Sequence, residues 1–139
     1  MNIDSIKNGF VIDHIEAGKG MEVYNLLALD SLDCSVAIIK NATSRKMGKK
    51  DIIKIDAKIE LDMDILGYVS PTATVDVIED GKLCEKKKMT LPEKLTNVIF
   101  CKNPRCITTT EQELPNIFTL TNRELHEYRC AYCETKASK

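Results

Sequence analysis

The sequence contains no tryptophan, and its three phenylalanines and four tyrosines bring the aromatic fraction to only 5%. Proteins that bind single-stranded nucleic acid without sequence preference stack the bases on aromatic side chains. Strong net charge is also absent, since the formal net charge is −1 at pH 7. No overall basic field therefore attracts nucleic acid, which is not predicted as a partner. Any electrostatic site must come from local clustering of charges.

Long apolar runs are missing as well. No stretch approaches the roughly 18 apolar residues that a membrane-spanning helix needs, and Met1–Asp4 lacks the apolar core of a signal peptide. With 43% hydrophobic and 29% charged residues, the composition is that of a folded, soluble protein. We therefore expect a cytoplasmic protein that does not bind a membrane.

Recognisable catalytic motifs are absent too. Gly48-Lys49 lacks both the preceding glycine and the following serine or threonine of a phosphate-binding P-loop. The chain contains no nucleophile elbow and no metal-hydrolase helix, and it has only two histidines. The sequence therefore predicts no catalytic activity.

What the chain does have is cysteine. Four of its six cysteines form two short pairs, Cys101 with Cys106 and Cys130 with Cys133. Two such pairs, each in a tight turn, are the usual way to present four thiolates to one zinc ion. Two disulfides or four reduced core cysteines are the alternatives, which the lack of a secretory signal disfavours. Because four thiolates leave no open coordination position, the predicted zinc ion is structural.

Residues 1–90 carry alternating strand and helix signals. Strands are predicted at 9–17, 35–39, 49–55, 73–78 and 83–89, and helices at 21–29 and 62–68. The pair Asp80-Gly81 predicts a tight hairpin turn between the last two strands. The order β-α-β-β-α-β, with one hairpin strand more, indicates an α+β fold: a ferredoxin-like antiparallel sheet with two helices on one face.

The rest of the chain is predicted to be a linker and a second, small domain. Pro92 cannot continue the fifth strand, so residues 91–96 are interpreted as the linker. Residues 97–139 are then a C-terminal all-β zinc domain. So short a segment cannot bury a sufficient core alone, and the ion replaces the missing hydrophobic stabilisation.

Lysines of the first domain suggest an anion site. Lys50 and Lys54 share one face of the third predicted strand, and Lys86 can join them if the third and fifth strands lie close. Such a cluster suits a multiply charged anion such as a nucleoside triphosphate, whereas a solvated basic surface is the simpler alternative. Asp13-His14 interrupts an apolar strand, either as a hydrogen-bonded pair at its edge or as the polar part of a ligand site.

Several separate motifs occur in a characteristic order. They are IKNG at 6–9, VIDHI at 11–15, MGKKDIIKI at 47–55, PTATV at 71–75, LPEK at 91–94 and NV at 97–98. The two cysteine pairs follow, with four and two residues between their sulfurs. Together these motifs resemble the regulatory chain of aspartate carbamoyltransferase over essentially the whole length.

The resemblance implies a non-catalytic chain of pyrimidine biosynthesis, with a nucleotide-binding allosteric domain and a zinc domain that holds the catalytic chain. Regulatory chains of this family pair as homodimers through the N-terminal domain, and three dimers link two catalytic trimers. CTP, sometimes with UTP, inhibits the enzyme, and ATP activates it from the same site.

The resemblance also assigns residues to the effector site. It implies that Asp13 and His14 contact base and ribose, that Lys50 and Lys54 lie near ribose and phosphates, and that Lys86 binds the triphosphate. The residues implied to line the pocket by backbone or apolar contact are Ile6, Val11, Ile52, Ile78 and Leu83.

Two positions in this site depart from the better-known members. Asp76 stands where they carry an amide, and Gly81 stands where they carry a larger residue beside the base. A carboxylate accepts a hydrogen bond from an exocyclic amine but cannot donate one to a carbonyl, so Asp76 is expected to affect base preference. In the zinc domain, Asn103 and Glu134 match positions that touch the catalytic chain.

Two other classes of function fit parts of the sequence. A zinc-ribbon module could bind nucleic acid through the lysine clusters, with steep salt dependence, but the near-neutral net charge opposes it. A thiol redox protein would keep its fold without zinc, whereas we expect zinc removal to unfold the C-terminal domain. A regulatory subunit with one structural zinc ion is the leading prediction.

Overall fold

A computed structural model describes residues 6–137, and the chain divides into two compact units, Met1–Thr90 and Leu91–Lys139. Within residues 6–137, no helix is long and apolar enough to cross a membrane.

The first unit is built on a five-stranded sheet. Its strands are β1 (Gly9–Glu16), β2 (Val36–Ser44), β3 (Gly48–Ile55), β4 (Thr74–Glu79) and β5 (Lys82–Lys88). All neighbouring strands are antiparallel, in the order β2-β3-β1-β4-β5. The predicted ferredoxin-like sheet is thus confirmed, with β5 added at one edge by the hairpin.

Two short helices, α1 (Gly20–Leu26) and α2 (Met63–Val69), pack with one face of this sheet. Helix α2 begins at Asp62, whose Oδ1 accepts hydrogen bonds from the N–H groups of the second and third helical residues at 3.0 and 3.1 Å. Such a cap satisfies otherwise unpaired donors of the first turn. Helix α1 ends earlier than predicted because Ala28 adopts a left-handed φ of 53°, and a separate 3-10 turn, Leu29–Ser31, follows.

The hydrophobic core lies between this face and the helices. The side chains that fill it from the sheet are Ile12, Ile15, Ile53, Ile55 and Val75, and those from the helices are Val23, Leu66 and Val69. Each contributes on the order of 1.5–3 kcal/mol when fully buried. The described helices cover only this face, so alternate residues of each strand face away from the core on the open face of the sheet.

A bulge in β1 interrupts the alternation at one place. The register shifts between Ile12 and Ile15, and His14 has a φ of 56°. One extra residue in the strand lets both isoleucines point into the core. Asp13 and His14 are therefore held between two core residues on the central strand.

The predicted hairpin between β4 and β5 is confirmed. Asp80 and Gly81 have φ values of 50° and 74°, which is the backbone that a two-residue hairpin turn requires. The turn is also tied to the segment before β1, because the Gly81 N–H donates to Lys7 O at 2.9 Å and the Asp80 N–H to Asn8 Oδ1 at 3.2 Å.

A buried carboxylate fixes the loops at one end of the sheet. Asp51 is fully buried, and its oxygens accept from the N–H groups of Gly18 at 3.2 Å, Gly20 at 2.9 Å and Asn41 at 3.0 Å. A Cβ on Gly20 would lie 2.7 Å from Asp51 Oδ2, so this close approach requires glycine. The carboxylate joins β3 to the β1–α1 turn and to β2.

Substituting Asp51 tests this connection. We expect Asp51→Ala to lower the free energy of unfolding of the first unit by about 3 kcal/mol, since three hydrogen bonds worth roughly 1 kcal/mol each are lost. Denaturant titration followed by amide NMR signals of this unit measures the change. Asp56→Ala, which removes an exposed carboxylate nearby, is the control. If both variants lost the same free energy of unfolding, the role of Asp51 in joining β3 to the β1–α1 turn and to β2 would be contradicted.

The second unit contains a smaller antiparallel sheet of β6 (Lys94–Thr96), β7 (Ile117–Asn122) and β8 (Glu127–Cys130), in that order. Its core is formed by Leu95, Phe118 and Tyr128, each at most 2% exposed. The predicted all-β domain also contains one helical turn, α3 (Ile107–Thr110).

Residues 91–96, predicted as a linker, form part of the second unit instead. Leu91 is buried, and β6 pairs with β7 through Leu95 and Phe118. The Leu120 N–H donates to Glu93 O at 2.8 Å, and the Tyr128 hydroxyl donates to Pro92 O. Strand β5 ends at Lys88, before Pro92, and a new strand begins two residues after this proline, so the second unit starts before residue 97.

Candidate functional site: metal centre and open sheet face

Four cysteines of the second unit meet in one cluster. The sulfurs of Cys101, Cys106, Cys130 and Cys133 all lie within 4.8 Å of one another. Cys101 Sγ is 3.6 Å from Cys133 Sγ, and Cys106 Sγ is 3.7 Å from Cys130 Sγ. A tetrahedral zinc ion with Zn–S bonds of about 2.3 Å requires sulfur–sulfur separations of about 3.8 Å. The donor set and its spacing therefore fit zinc, and none of the four forms a disulfide.

Two tight turns present these sulfurs. In the first, the Cys106 N–H donates to Asn103 O at 3.0 Å, and Cys106 then begins α3. In the second, Cys130 ends β8 and its carbonyl accepts from the Glu134 N–H at 2.9 Å. Both turns were predicted from the spacing of the pairs.

Backbone and hydroxyl groups around the cluster favour thiolates. The N–H two residues after each cysteine hydrogen-bonds to its sulfur, and the hydroxyls of Thr108 and Thr135 lie 3.1 Å and 3.2 Å from the sulfurs of Cys106 and Cys133. The Thr135 hydroxyl and N–H lower the pKa of Cys133 to about 6. These contacts favour the metal-binding thiolate form of Cys106 and Cys133, whereas burial raises the pKa of the Cys101 and Cys130 thiols above its ordinary value.

Removing one ligand tests the metal centre. We expect Cys106→Ser to lose the zinc ion and to unfold the second unit, because structural zinc contributes on the order of 10 kcal/mol in small domains. Elemental analysis gives zinc per chain, and amide NMR follows each unit separately. Cys84→Ser, which changes an exposed cysteine outside the cluster, should keep one ion per chain. Full zinc content in Cys106→Ser would refute the site.

The open face of the first unit brings together residues from four strands. In register, Lys54 of β3 lies opposite Val11 of β1, Val11 opposite Asp76 of β4, and Asp76 opposite Lys86 of β5. Directly opposed residues of paired strands share a face. Strands β3 and β5 are not neighbours, so the two lysines flank a row three strand spacings wide, roughly 14 Å.

An ion pair stands beside this row. Lys50 Nζ lies 2.9 Å from Asp13 Oδ1, and both side chains are largely buried. The same oxygen accepts from the His14 N–H at 2.6 Å, and His14 Nδ1 lies 3.0 Å from Thr74 Oγ1. Burial by itself raises the pKa of the Asp13 carboxyl, but Lys50 and the His14 N–H together hold that pKa below its ordinary value. Asp13 is therefore ionised at neutral pH.

Asp76 has an unsatisfied oxygen. Its Oδ1 is buried and has no hydrogen-bond partner among residues 6–137. A buried acceptor without a partner costs on the order of 1–3 kcal/mol. A ligand that donates a hydrogen bond to this oxygen would remove that cost.

The remaining predicted pocket residues lie on or near this face. Ile52 lies between Lys50 and Lys54 on β3 and is half-buried with them. Ile78 pairs with Leu83 across the β4–β5 hairpin. The remaining member, Ile6, is buried and lies in the segment bonded to that hairpin.

Sequence reasoning did not assign every residue around this face. A cavity of about 620 Å³ includes His14 and Lys86 in its lining, together with Lys46, Thr74 and Lys88. The only sequence signal was that Lys86 and Lys88 share a face of β5. Lys46 lies in the turn between β2 and β3, and no pattern in the sequence connects that turn to β5.

The two predicted interface residues lie in the metal-binding turns. Asn103 is half-buried; its Oδ1 accepts from the Arg105 N–H at 3.0 Å and its Nδ2 donates to Thr135 Oγ1 at 3.2 Å. Glu134 is exposed, with a left-handed φ of 64°. Asn103 thus shapes its turn, and Glu134 places an exposed carboxylate directly after the zinc-binding position 133.

Comparison with known families assigns both units. The model for the allosteric domain of the aspartate carbamoyltransferase regulatory chain matches residues 1–90, and the model for its metal-binding domain matches residues 93–139. The chain belongs to this family. The regulatory chain therefore has its allosteric domain in the first unit and its metal-binding domain in the second.

Individual relatives agree over nearly the full length. The aspartate carbamoyltransferase regulatory chain of Clostridium botulinum is 53% identical over 96% of this chain and 92% of its own. The regulatory chain of Clostridium tetani is 50% identical over 96% of this chain and 94% of its own length. The regulatory chain of Bifidobacterium longum is 46% identical over 99% of each chain. The predictions of a regulatory rather than catalytic chain and of one structural zinc ion are confirmed.

Proposed function

We propose that the allosteric domain binds nucleotide effectors on the open face of its sheet, with CTP and UTP as inhibitors and ATP as activator. The metal-binding domain then transmits the signal to a catalytic chain. The observation that carries this proposal is the row from Lys54 through Val11 and Asp76 to Lys86. These four residues are among those that the resemblance assigns to the effector site. They lie together on the open face of the unit that matches the family model for the allosteric domain.

The charges divide the lysines into two roles. Lys50 is paired with Asp13, whereas neither Lys54 nor Lys86 forms an ion pair within residues 6–137. Lys54 and Lys86 are therefore the cations available to phosphates, and Lys50 orients Asp13 toward the ribose.

The apolar residues and Asp76 suit the base. Ile78 and Leu83 lie across the hairpin from each other, where Gly81 has no side chain to restrict the size of the base. Asp76 Oδ1 is an acceptor that has no donor among residues 6–137. Cytosine and adenine both carry an exocyclic amine that can donate to it, whereas uracil presents a carbonyl. CTP and ATP should therefore bind more tightly than UTP.

The metal-binding domain offers a surface for the catalytic chain. Phe100 is 60% exposed, Ile107 50% and Tyr132 40%, and each is next to a zinc ligand in the sequence. Exposed apolar clusters with a polar rim are typical of protein interfaces. We propose that these residues, with Asn103 and Glu134, contact the catalytic chain.

The proposed assembly has regulatory homodimers, paired through the allosteric domain, and three such dimers link two catalytic trimers in a cytoplasmic enzyme of pyrimidine biosynthesis. Nucleotide binding shifts this assembly between two quaternary states. Allosteric coupling of this kind is typically about 1–3 kcal/mol.

Calorimetry with CTP, ATP and UTP on the full chain tests the effector site. Lys54→Gln and Lys86→Gln should each weaken CTP binding about tenfold, since a charge-assisted contact is lost. Asp76→Asn should narrow the preference for CTP over UTP, because the amide can donate to the uracil carbonyl.

Lys82→Gln is the matched control, because Lys82 is an exposed lysine of β5 outside the row. It should leave the affinity for CTP within about twofold of the wild type. The site would be disproved if neither CTP nor ATP bound at millimolar concentration and Lys86→Gln were indistinguishable from the unchanged chain.

A further inference from the structure

The carboxylate of Asp76 is left unpaired on the open face of the sheet. In the part of the chain that the structure describes, residues 6–137, this carboxylate forms no ion pair and its buried Oδ1 has no hydrogen-bond partner. Lys86 stands directly opposite on β5, yet the two charges do not pair. A buried acceptor without a partner is uncommon and calls for a physical reason. A ligand that brings its own donors supplies one.

Apolar side chains and open space lie beside this carboxylate. Val11 is opposite Asp76 on β1, and Ile78 follows two positions along β4 on the same face. Both are half-buried. At the hairpin turn that follows, a Cβ built on Gly81 would have no atom within 4 Å apart from its chain neighbours. A flat base can therefore lie on the apolar side chains with its polar edge toward Asp76, and the turn leaves room for two fused rings.

The polar edge of the base decides how well it matches a carboxylate, which has two acceptor oxygens and no donor. Guanine presents two adjacent donors, its N1–H and its exocyclic amine, at the spacing of the two oxygens. Adenine and cytosine donate through one exocyclic amine, and the ring nitrogen next to it is an acceptor that faces the second oxygen. Uracil has a single N–H between two carbonyls. Guanine is thus the base that satisfies both oxygens without placing a lone pair against either.

We propose that Asp76 makes the effector site selective for guanine nucleotides, because its carboxylate accepts hydrogen bonds from both the N1–H and the exocyclic amine of guanine. The proposal deepens the proposed effector function and rests on it, since it names the base preferred at the same site. CTP and ATP are weaker ligands, each giving this carboxylate one hydrogen bond. An amide at position 76 would turn an N–H group toward one of the two guanine donors and lose the match.

Calorimetry with GTP and ITP on the full chain tests the preference with matched ligands. ITP differs from GTP only by lacking the exocyclic amine, so the phosphates and the ribose are the same in both. GTP should bind about tenfold or more tightly than ITP, because the missing hydrogen bond is one to a charged acceptor. GTP should also bind more tightly than ATP and CTP. Equal affinities for GTP and ITP would overturn the proposal, and this comparison needs no variant.

The variant Asp76→Asn tests whether the carboxylate causes the preference. It keeps the size of the side chain and should bring the affinities for GTP and ITP to within about twofold of each other. The matched control is Glu85→Gln, which removes the same charge from an exposed residue of β5. Glu85 lies opposite Val77, on the other face of the sheet, so the control should keep the wild-type ratio. An unchanged ratio in Asp76→Asn, or the same loss in both variants, would contradict the role of Asp76.

These outcomes separate base selectivity from the effector function itself. If CTP and ATP bind but GTP is not preferred over ITP, only the selectivity assigned to Asp76 is refuted. If none of the nucleotides binds at millimolar concentration, the proposed effector function fails, and the selectivity fails with it.

Discussion

The register of β1 between β3 and β4 is the constraint on which the first unit depends. It places Val11 between Lys54 and Asp76, and the bulge at His14 keeps Ile12 and Ile15 in the core while Asp13 meets Lys50. A slip of one residue would exchange the two faces of the strand and bury these polar groups. The core isoleucines therefore enforce the geometry of the opposite face, so that one pairing sets both the packing of the core and the arrangement of the polar residues on the open face.

The second unit is stabilised in a different way from the first, by metal-binding thiolates as well as by a hydrophobic core. Its sheet has three strands and a core centred on Leu95, Phe118 and Tyr128, which is small for independent stability. Four thiolates replace the missing core and fix two turns at the same time. The exposed Phe100, Ile107 and Tyr132 sit next to the ligands in sequence, so the ion that stabilises the unit also positions the surface proposed to bind a partner.

Much of the fold and of the metal centre was predictable from the sequence, because the residues that specify these features are close together in the chain. Asp80-Gly81 specifies a hairpin turn, Asp62 caps α2, and the cysteine spacing specifies two metal-binding turns.

The boundary at residues 91–96 was not predictable, because the pairing of Leu95 with Phe118 is long-range and only three residues form the strand. The lining of the cavity beside His14 was not predictable from the sequence either. Lys46 and Lys88 are 42 positions apart in the numbering, and the fold alone brings them to one wall. No local pattern marks Asp51 as buried, because its three backbone donors, Gly18, Gly20 and Asn41, come from other segments of the chain.

The central claim is that nucleotide binding to the allosteric domain and substrate binding to the catalytic chain are energetically coupled through this chain. Coupling between two sites is reciprocal, so a substrate of the catalytic chain must change nucleotide affinity. The most direct measurement is the dissociation constant of CTP for the reconstituted complex, with and without a saturating ligand of the catalytic chain. We expect weaker CTP binding in the saturated complex, by a factor of roughly 5 to 150. Identical CTP affinities in the two states would contradict the allosteric account.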